Sequence, residues 1–207
     1  AVVALFALAL ATPQGRSFAQ EILQFFNRSE ETSFPLSPSQ IAPNPEQDTV
    51  GQPTAEPPAP LITVAEAEAQ AGFDAAELSS VPEGLTFLGA RLYGNTINLE
   101  YETPDQGGHL IIAQSPEGYN QSDWDSVPAE YILPVQIGEL SGEFVQGTFV
   151  VFPNATEATW NANAPLLRLR WQKDGIWYEI TKFGDTQPIE YLDQAALIAL
   201  AEDLMSQ

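Results

Sequence analysis

Leu167–Ile180 reads LRLRWQKDGIWYEI, and the fold turns on how it pairs with itself. Asp174-Gly175 is a two-residue turn that tolerates the positive φ angles of a type I′ loop. With that loop, Lys173 faces Ile176, Gln172 faces Trp177, Trp171 faces Tyr178, Arg170 faces Glu179 and Leu169 faces Ile180. Alternation puts Leu169, Trp171, Tyr178 and Ile180 on one face. Arg168 and Arg170 go to the other, where Arg170–Glu179 is an opposite-charge pair worth roughly 0.2–1 kcal/mol. A one-residue slip would mix the two faces, so the pattern specifies its own register.

A helix is predicted after the hairpin. Asp193 suits its N-cap, because a carboxylate there accepts free amide hydrogens of the first turn. Leu192 and Leu197 are spaced as a hydrophobic staple. Leu197, Leu200, Ala201 and Leu204 form one apolar stripe that must be buried, with the apolar face of the hairpin as the nearest cover.

Upstream, Thr63-Val64-Ala65-Glu66 is a capping box. It predicts a short helix to about Ala71, stopped at Gly72, with Phe73 folded back. Pro82-Glu83-Gly84 is a turn. Strands are expected at Leu85–Tyr93, Thr96–Glu102, His109–Gln114, Ala129–Ile137 and Glu143–Phe152, with Gly94-Asn95 and Asp105–Gly108 as turn-forming breaks. The expected fold class is α+β: an antiparallel meander of about seven strands with an N-terminal and a C-terminal helix packed on one face.

The N-terminal 60 residues have a different character. Residues 1–13 open with AVVALFALALA, an apolar run shorter than the ~20 residues of a membrane span. It reads either as the outer end of a transmembrane helix or as the core of a secretory signal with an Ala9-Leu10-Ala11 cleavage site. Both readings place the rest of the chain outside the cytoplasm, and the first gives it a membrane partner. Residues 14–28 carry Phe18, Ile22, Phe25 and Phe26 at helical spacing, as in a juxtamembrane amphipathic helix. Residues 29–60 hold eight of the 17 prolines and few large apolar groups, the composition of a disordered linker. Residues 61–207 are the globular domain.

Charge and composition remove several function classes. Seven basic against 28 acidic side chains leave a net charge of −21. Nucleic acid binding needs a basic patch that so few cations cannot supply, and anionic lipid headgroups are disfavoured for the same reason. With no cysteine, there is no disulfide, thiol chemistry or zinc knuckle.

The chain carries no catalytic or cofactor motif. The single histidine, His109, opens a strand without a sequence-near partner for a metal or a triad. Asp123 and Asp125 offer oxygen ligands of the kind Ca²⁺ prefers, but the glycine and distal glutamate of an EF-hand are missing, so solvated loop charge is the plainer reading. Glu100 and Glu102 share a strand face, with nothing marking them as an acid/base couple. The candidate binding surface is Trp124, Trp160 and Trp177, whose burial alternation does not fix, together with Arg168 and Arg170, the main local positive spot.

ITVAEAEAQAGF, VPEGL, INLEYE, HLIIAQS, LRLRWQKDGIWYEI and the Asp-capped LIALAEDLM, in that order over Ile62 to Met205, resemble the DUF4367 family. Two departures are the polar insertion Glu157–Pro165 and Leu85 at a position that is often aromatic in the family. The resemblance implies an extracytoplasmic domain C-terminal to a single transmembrane helix, often behind a cytoplasmic anti-sigma or zinc-finger-like region. On that basis the expected function is a sensory or regulatory domain of a membrane-anchored bacterial protein, not an enzyme, with an envelope protein or small-molecule signal as partner. The alternative is a secreted or envelope module that binds lipid or lipoprotein in an apolar groove between sheet and helix.

Overall fold

The computed structural model describes residues 33–35, 59–102, 108–118, 124, 126–150, 157–183 and 192–206. The segments read as membrane-proximal, 1–13 and 14–28, lie outside these, as does most of 29–60. In chain order the strands are β1 (Ser33–Pro35), β2 (Thr86–Tyr93), β3 (Thr96–Glu102), β4 (His109–Ser115), β5 (Ile132–Ile137), β6 (Leu140–Gln146), β7 (Thr148–Val150), β8 (Glu157–Asn161), β9 (Leu167–Lys173) and β10 (Ile176–Phe183). Helix α1 spans Val64–Ala71 and α2 spans Gln194–Met205. The fold is mostly antiparallel sheet with two helices. Among the described residues, no helix is long and apolar enough to cross a membrane.

The hairpin pairs in the register its sequence dictates, from Lys173↔Ile176 through Arg170↔Glu179 to Leu169↔Ile180. Asp174 (φ 52°) and Gly175 (φ 82°) both take the positive angles of a type I′ turn. On the apolar face Trp171 and Tyr178 stack, with ring centroids 5.2 Å apart and planes within 7°.

The hairpin does not end a meander, as the sequence suggested. The strand order is β2-β3-β4-β10-β9-β6-β5, so β9 and β10 sit in the middle of the seven-stranded sheet. The β2–β4 meander and the β5–β6 hairpin each leave an inner edge open, and β10 and β9 close both edges by antiparallel pairing. The outer edges are blunted. Pro134 interrupts the amides of β5, and Ile62 bridges β2 through hydrogen bonds of 2.8 and 2.9 Å with Ala90.

Three further expectations are corrected by a second, three-stranded sheet of order β1-β8-β7. The single strand expected at Glu143–Phe152 is two strands in different sheets. They part at Gly147, whose φ of +116° favours glycine and whose amide reaches Leu166 O at 2.9 Å. The supposed polar insertion at Glu157–Pro165 contains β8, where Ala158 and Trp160 point inward and Glu157 and Thr159 outward. Ser33–Pro35, inside the stretch read as linker, pairs with β8.

One apolar cluster holds the main sheet to both helices. The capping box on α1 is formed: Thr63 N–H donates to Glu66 Oε2 at 2.9 Å, and Glu66 N–H donates to Thr63 Oγ1 at 3.2 Å. Gly72 ends that helix, its amide donating to Glu68 O. Asp193 caps α2 by accepting from Ala196 N at 2.9 Å. Ala67 of α1 and Leu197, Leu200, Ala201 and Leu204 of α2 join Leu99, Ile112, Leu169, Trp171 and Ile180 in the core, with Leu192 beside them. Each large side chain there contributes about 1.5–3 kcal/mol by leaving water.

A methyl group at Gly147 would sit 2.6 Å from Asn161 O and 2.9 Å from Ala162 Cα, on top of an unfavourable φ, whereas one at Gly175 meets nothing within 4 Å. Gly147→Ala should therefore lower stability by at least about 2 kcal/mol and Gly175→Ala by about 1 kcal/mol. Paired urea-unfolding midpoints measure the difference.

Candidate functional site

The face of the central strands opposite the helices carries charge, and that charge is buried. Register brings Arg170 of β9 between Glu179 of β10 and Glu143 of β6, and sets Arg168 between Thr181 and Val145. Arg170 donates to Glu143 Oε2 from Nε at 3.1 Å and from Nη2 at 2.7 Å. Both side chains are nearly sealed, at 6% and 2% exposure.

Trp124 roofs this cluster. Its ring centroid lies 4.0 Å from Arg170 Cζ and 4.9 Å from Arg168 Cζ, within cation–π range. Its Nε1–H donates to Glu179 Oε2 at 2.8 Å, while Thr181 Oγ1 donates to Glu179 Oε1 at 3.0 Å. Burial pushes the Glu179 carboxyl above its ordinary value, against the opposing pull of Arg168, Trp124, Thr181 and Arg170. The outer side of Trp124 packs with Val127, Ile132, Val145 and Trp160 in a second apolar cluster. Trp160 is itself held by Tyr131, stacked at 5.6 Å, and by Phe149, edge-on at 5.2 Å.

The structure thus collects Arg168, Arg170 and Trp124 in one place and joins Trp160 to them through the second cluster. Their character is corrected. Trp124 and Trp160 are interior, at 1% and 8% exposure, and form no exposed aromatic patch. The two arginines are buried beside carboxylates and are not a surface anion site. Trp177 stands apart, half-buried and opposite Ser115 and Gln172. Sequence reasoning missed Glu143, Thr181 and Lys182. Lys182 lies on the core side, in register with Leu110 and Leu167, at 1% exposure. Only its place in the strand alternation could have flagged it.

Two of the other weighed residues have structural partners. His109 stacks on Phe183 with centroids 5.5 Å apart. Glu100 accepts from Arg91 Nε at 2.7 Å, and Arg91 also donates to Ala59 O. Asp123 and Asp125 lie outside the described residues. Among those described, no group of three or more His, Asp or Glu side chains is arranged to hold a metal ion.

Two open clefts flank the sheet. One of about 370 Å³ is lined by Ile137, Leu140, Lys173, Glu202 and Met205, where Lys173 Nζ caps the end of α2 through Met205 O at 2.9 Å. The other, of about 460 Å³, is lined by Leu61, Val64, Phe87 and Leu88. Leu169 and Trp171 of the sheet and Leu197 and Leu204 of α2 pack in one core cluster, and the first cleft lies where the C-terminal end of that helix meets the sheet.

The chain matches no family model, no curated protein and no solved structure.

Two substitutions probe the cluster. Trp124→Phe keeps a ring but withdraws the indole N–H from a buried carboxylate, and it should cost about 1–3 kcal/mol in chemical denaturation. Because the folded-state pKa of Glu179 is raised, its stabilising contribution is full below the ordinary 4.5 and is lost as pH rises through the folded value. The stability of the protein relative to Glu179→Gln should therefore fall as pH rises from 4.5, as read from urea midpoints of both proteins at several pH values.

Proposed function

We propose that this chain is the extracytoplasmic sensory or regulatory domain of a membrane-anchored bacterial protein, anti-sigma-factor-like, with an α+β fold whose two helices cover one face of the sheet. The resemblance to DUF4367 over Ile62 to Met205 and the order of apolar segment, proline-rich stretch and folded domain support this reading. On it, the membrane is reached through the N-terminal apolar segment, and the signal is an envelope protein or small molecule. No catalysis is assigned.

The observation that carries most weight is how the proline-rich stretch meets the fold. Ser33–Pro35 is a strand of the small sheet, and Ile62 bridges the edge of the large one. A displacement of the stem would reach β8, whose Trp160 shares a cluster with Trp124, and Trp124 lies on Arg168 and Arg170 in the central hairpin. A contiguous packed route of this kind suits a domain that converts an outside event into a change at its anchor.

Reporter fusions to Gln207 in the native gene test the reading. An alkaline phosphatase that works only after export should be active there, and a fluorescent protein that matures only in the cytoplasm should stay dark. The reverse pattern would overturn it.

A further inference from the structure

We propose that the first part of the β2 edge, Thr86–Leu88, is a docking surface for an extended basic segment of another protein, which pairs along the strand and places apolar side chains in the adjoining cleft. The inference does not depend on membrane anchoring.

The path of the chain covers this edge at one end and leaves it bare at the other. Along the second half of β2, Arg91 donates to Ala59 O, and Ile62 exchanges backbone hydrogen bonds with Ala90. At Thr63 the chain turns away, because that residue caps α1. Gly89 lies at the parting, where a methyl group would meet Ile62 O at 3.2 Å. Before it, β2 pairs with β3 on its inner side, and among the described residues nothing pairs with its outer side at Thr86–Leu88. A bulge falls in the same place: Phe87 faces Tyr101 and Gly89 faces Glu100, so Leu88 has no opposite number.

Open edges are ordinarily protected by charge, proline or a covering segment. Thr86-Phe87-Leu88 has none of these. Phe87 and Leu88 are 37% and 38% exposed, and Leu61 across the cleft is 41% exposed. With Val64 they line the open cleft of about 460 Å³. Phe87 is held against Tyr101, with ring centroids 5.1 Å apart, so that wall is formed in advance. An unpaired strand beside an apolar recess is the geometry of strand addition: the backbone ladder supplies affinity, and alternate side chains of the added strand enter the recess. A docked helix would leave the edge unpaired.

Charge names the occupant. Among the described residues that line the cleft, Glu66 carries the only charge, and hydrogen bonds from Thr63 hold its carboxyl below the usual range. Glu83 is exposed in the turn that leads into β2, and Glu102 stands opposite Thr86. Arg91, the cation of β2 itself, is engaged by Glu100 at 2.7 Å. The rim is therefore acidic. With a net charge of −21, a second copy is repelled, and so is an anionic lipid surface. An extended segment that alternates lysine or arginine with apolar residues satisfies both the recess and the rim.

The test titrates the full 207-residue protein into a fluorescein-labelled heptapeptide of alternating lysine and valine, followed by fluorescence anisotropy. Binding should saturate below about 1 mM protein and weaken several-fold between roughly 0.1 and 0.5 M salt. A peptide with glutamate in place of lysine should bind at least about tenfold more weakly. Leu88→Lys, and separately Leu61→Lys on the facing wall, should each weaken binding about tenfold with the urea midpoint unchanged. Leu133→Lys makes the same charge change at a comparably exposed leucine of β5, on the far edge of the sheet, and should leave binding unchanged. Equal weakening by Leu133→Lys means that an acidic surface merely adsorbs a basic peptide, and it overturns the site. Failure to saturate by about 1 mM does the same. If the protein alone sediments as a dimer that Leu88→Lys dissociates, the edge belongs to a second copy and the assignment of a basic partner falls.

Discussion

The structure depends on the register of the Asp174-Gly175 hairpin, and that register is enforced from both faces. Many hairpins have one buried side, so a slip merely exposes some apolar groups. Here β9 and β10 are interior strands of the sheet. A one-residue shift of β9 would drive Arg168 and Arg170 into the Leu197–Leu204 side of the core and bring Leu169 and Trp171 among Glu143 and Glu179. Burying an unpaired guanidinium costs several kcal/mol, far more than the roughly 0.2–1 kcal/mol of a single cross-strand pair. The turn proposes the register, and the two dissimilar faces make every alternative expensive.

The charged face contributes specificity more than net stability. Two arginines and two glutamates taken out of water recover little beyond their desolvation cost, although breaking one pair is severe. Trp124 adds a ring over both cations and a hydrogen bond to Glu179. Because the members come from β6, β9, β10 and the segment before β5, the cluster can be satisfied only when all four are in place. It thus selects the hairpin's position between β4 and β6 over other antiparallel orders with equal apolar burial.

How much of this was readable follows from how local each signal is. The turn, the facing pairs, the capping box from Thr63 to Glu66, and the Asp193 cap with the Leu197–Leu204 stripe all act within a few residues, and all are found as read. The charge cluster is different. Glu143 and Arg170 are 27 residues apart, and Trp124 and Glu179 are 55 apart, so no spacing rule links them. A tryptophan in a polar stretch carries no periodicity, which is why alternation left the burial of Trp124 open. The short strand β8 shows the same limit from another side: Glu157-Ala158-Thr159-Trp160 alternates correctly, but small and polar residues made it resemble a loop. Gly147 hid the boundary between sheets because the residues on both sides of it are good strand formers.

The small sheet gives the proline-rich stretch a second meaning. Its composition argues for a spacer, and a pure spacer would transmit position but no state. A stretch that contributes a strand takes part in the fold: Ser33–Pro35 is in register with Glu157–Thr159 of β8, next to Trp160, which packs in one apolar cluster with Trp124.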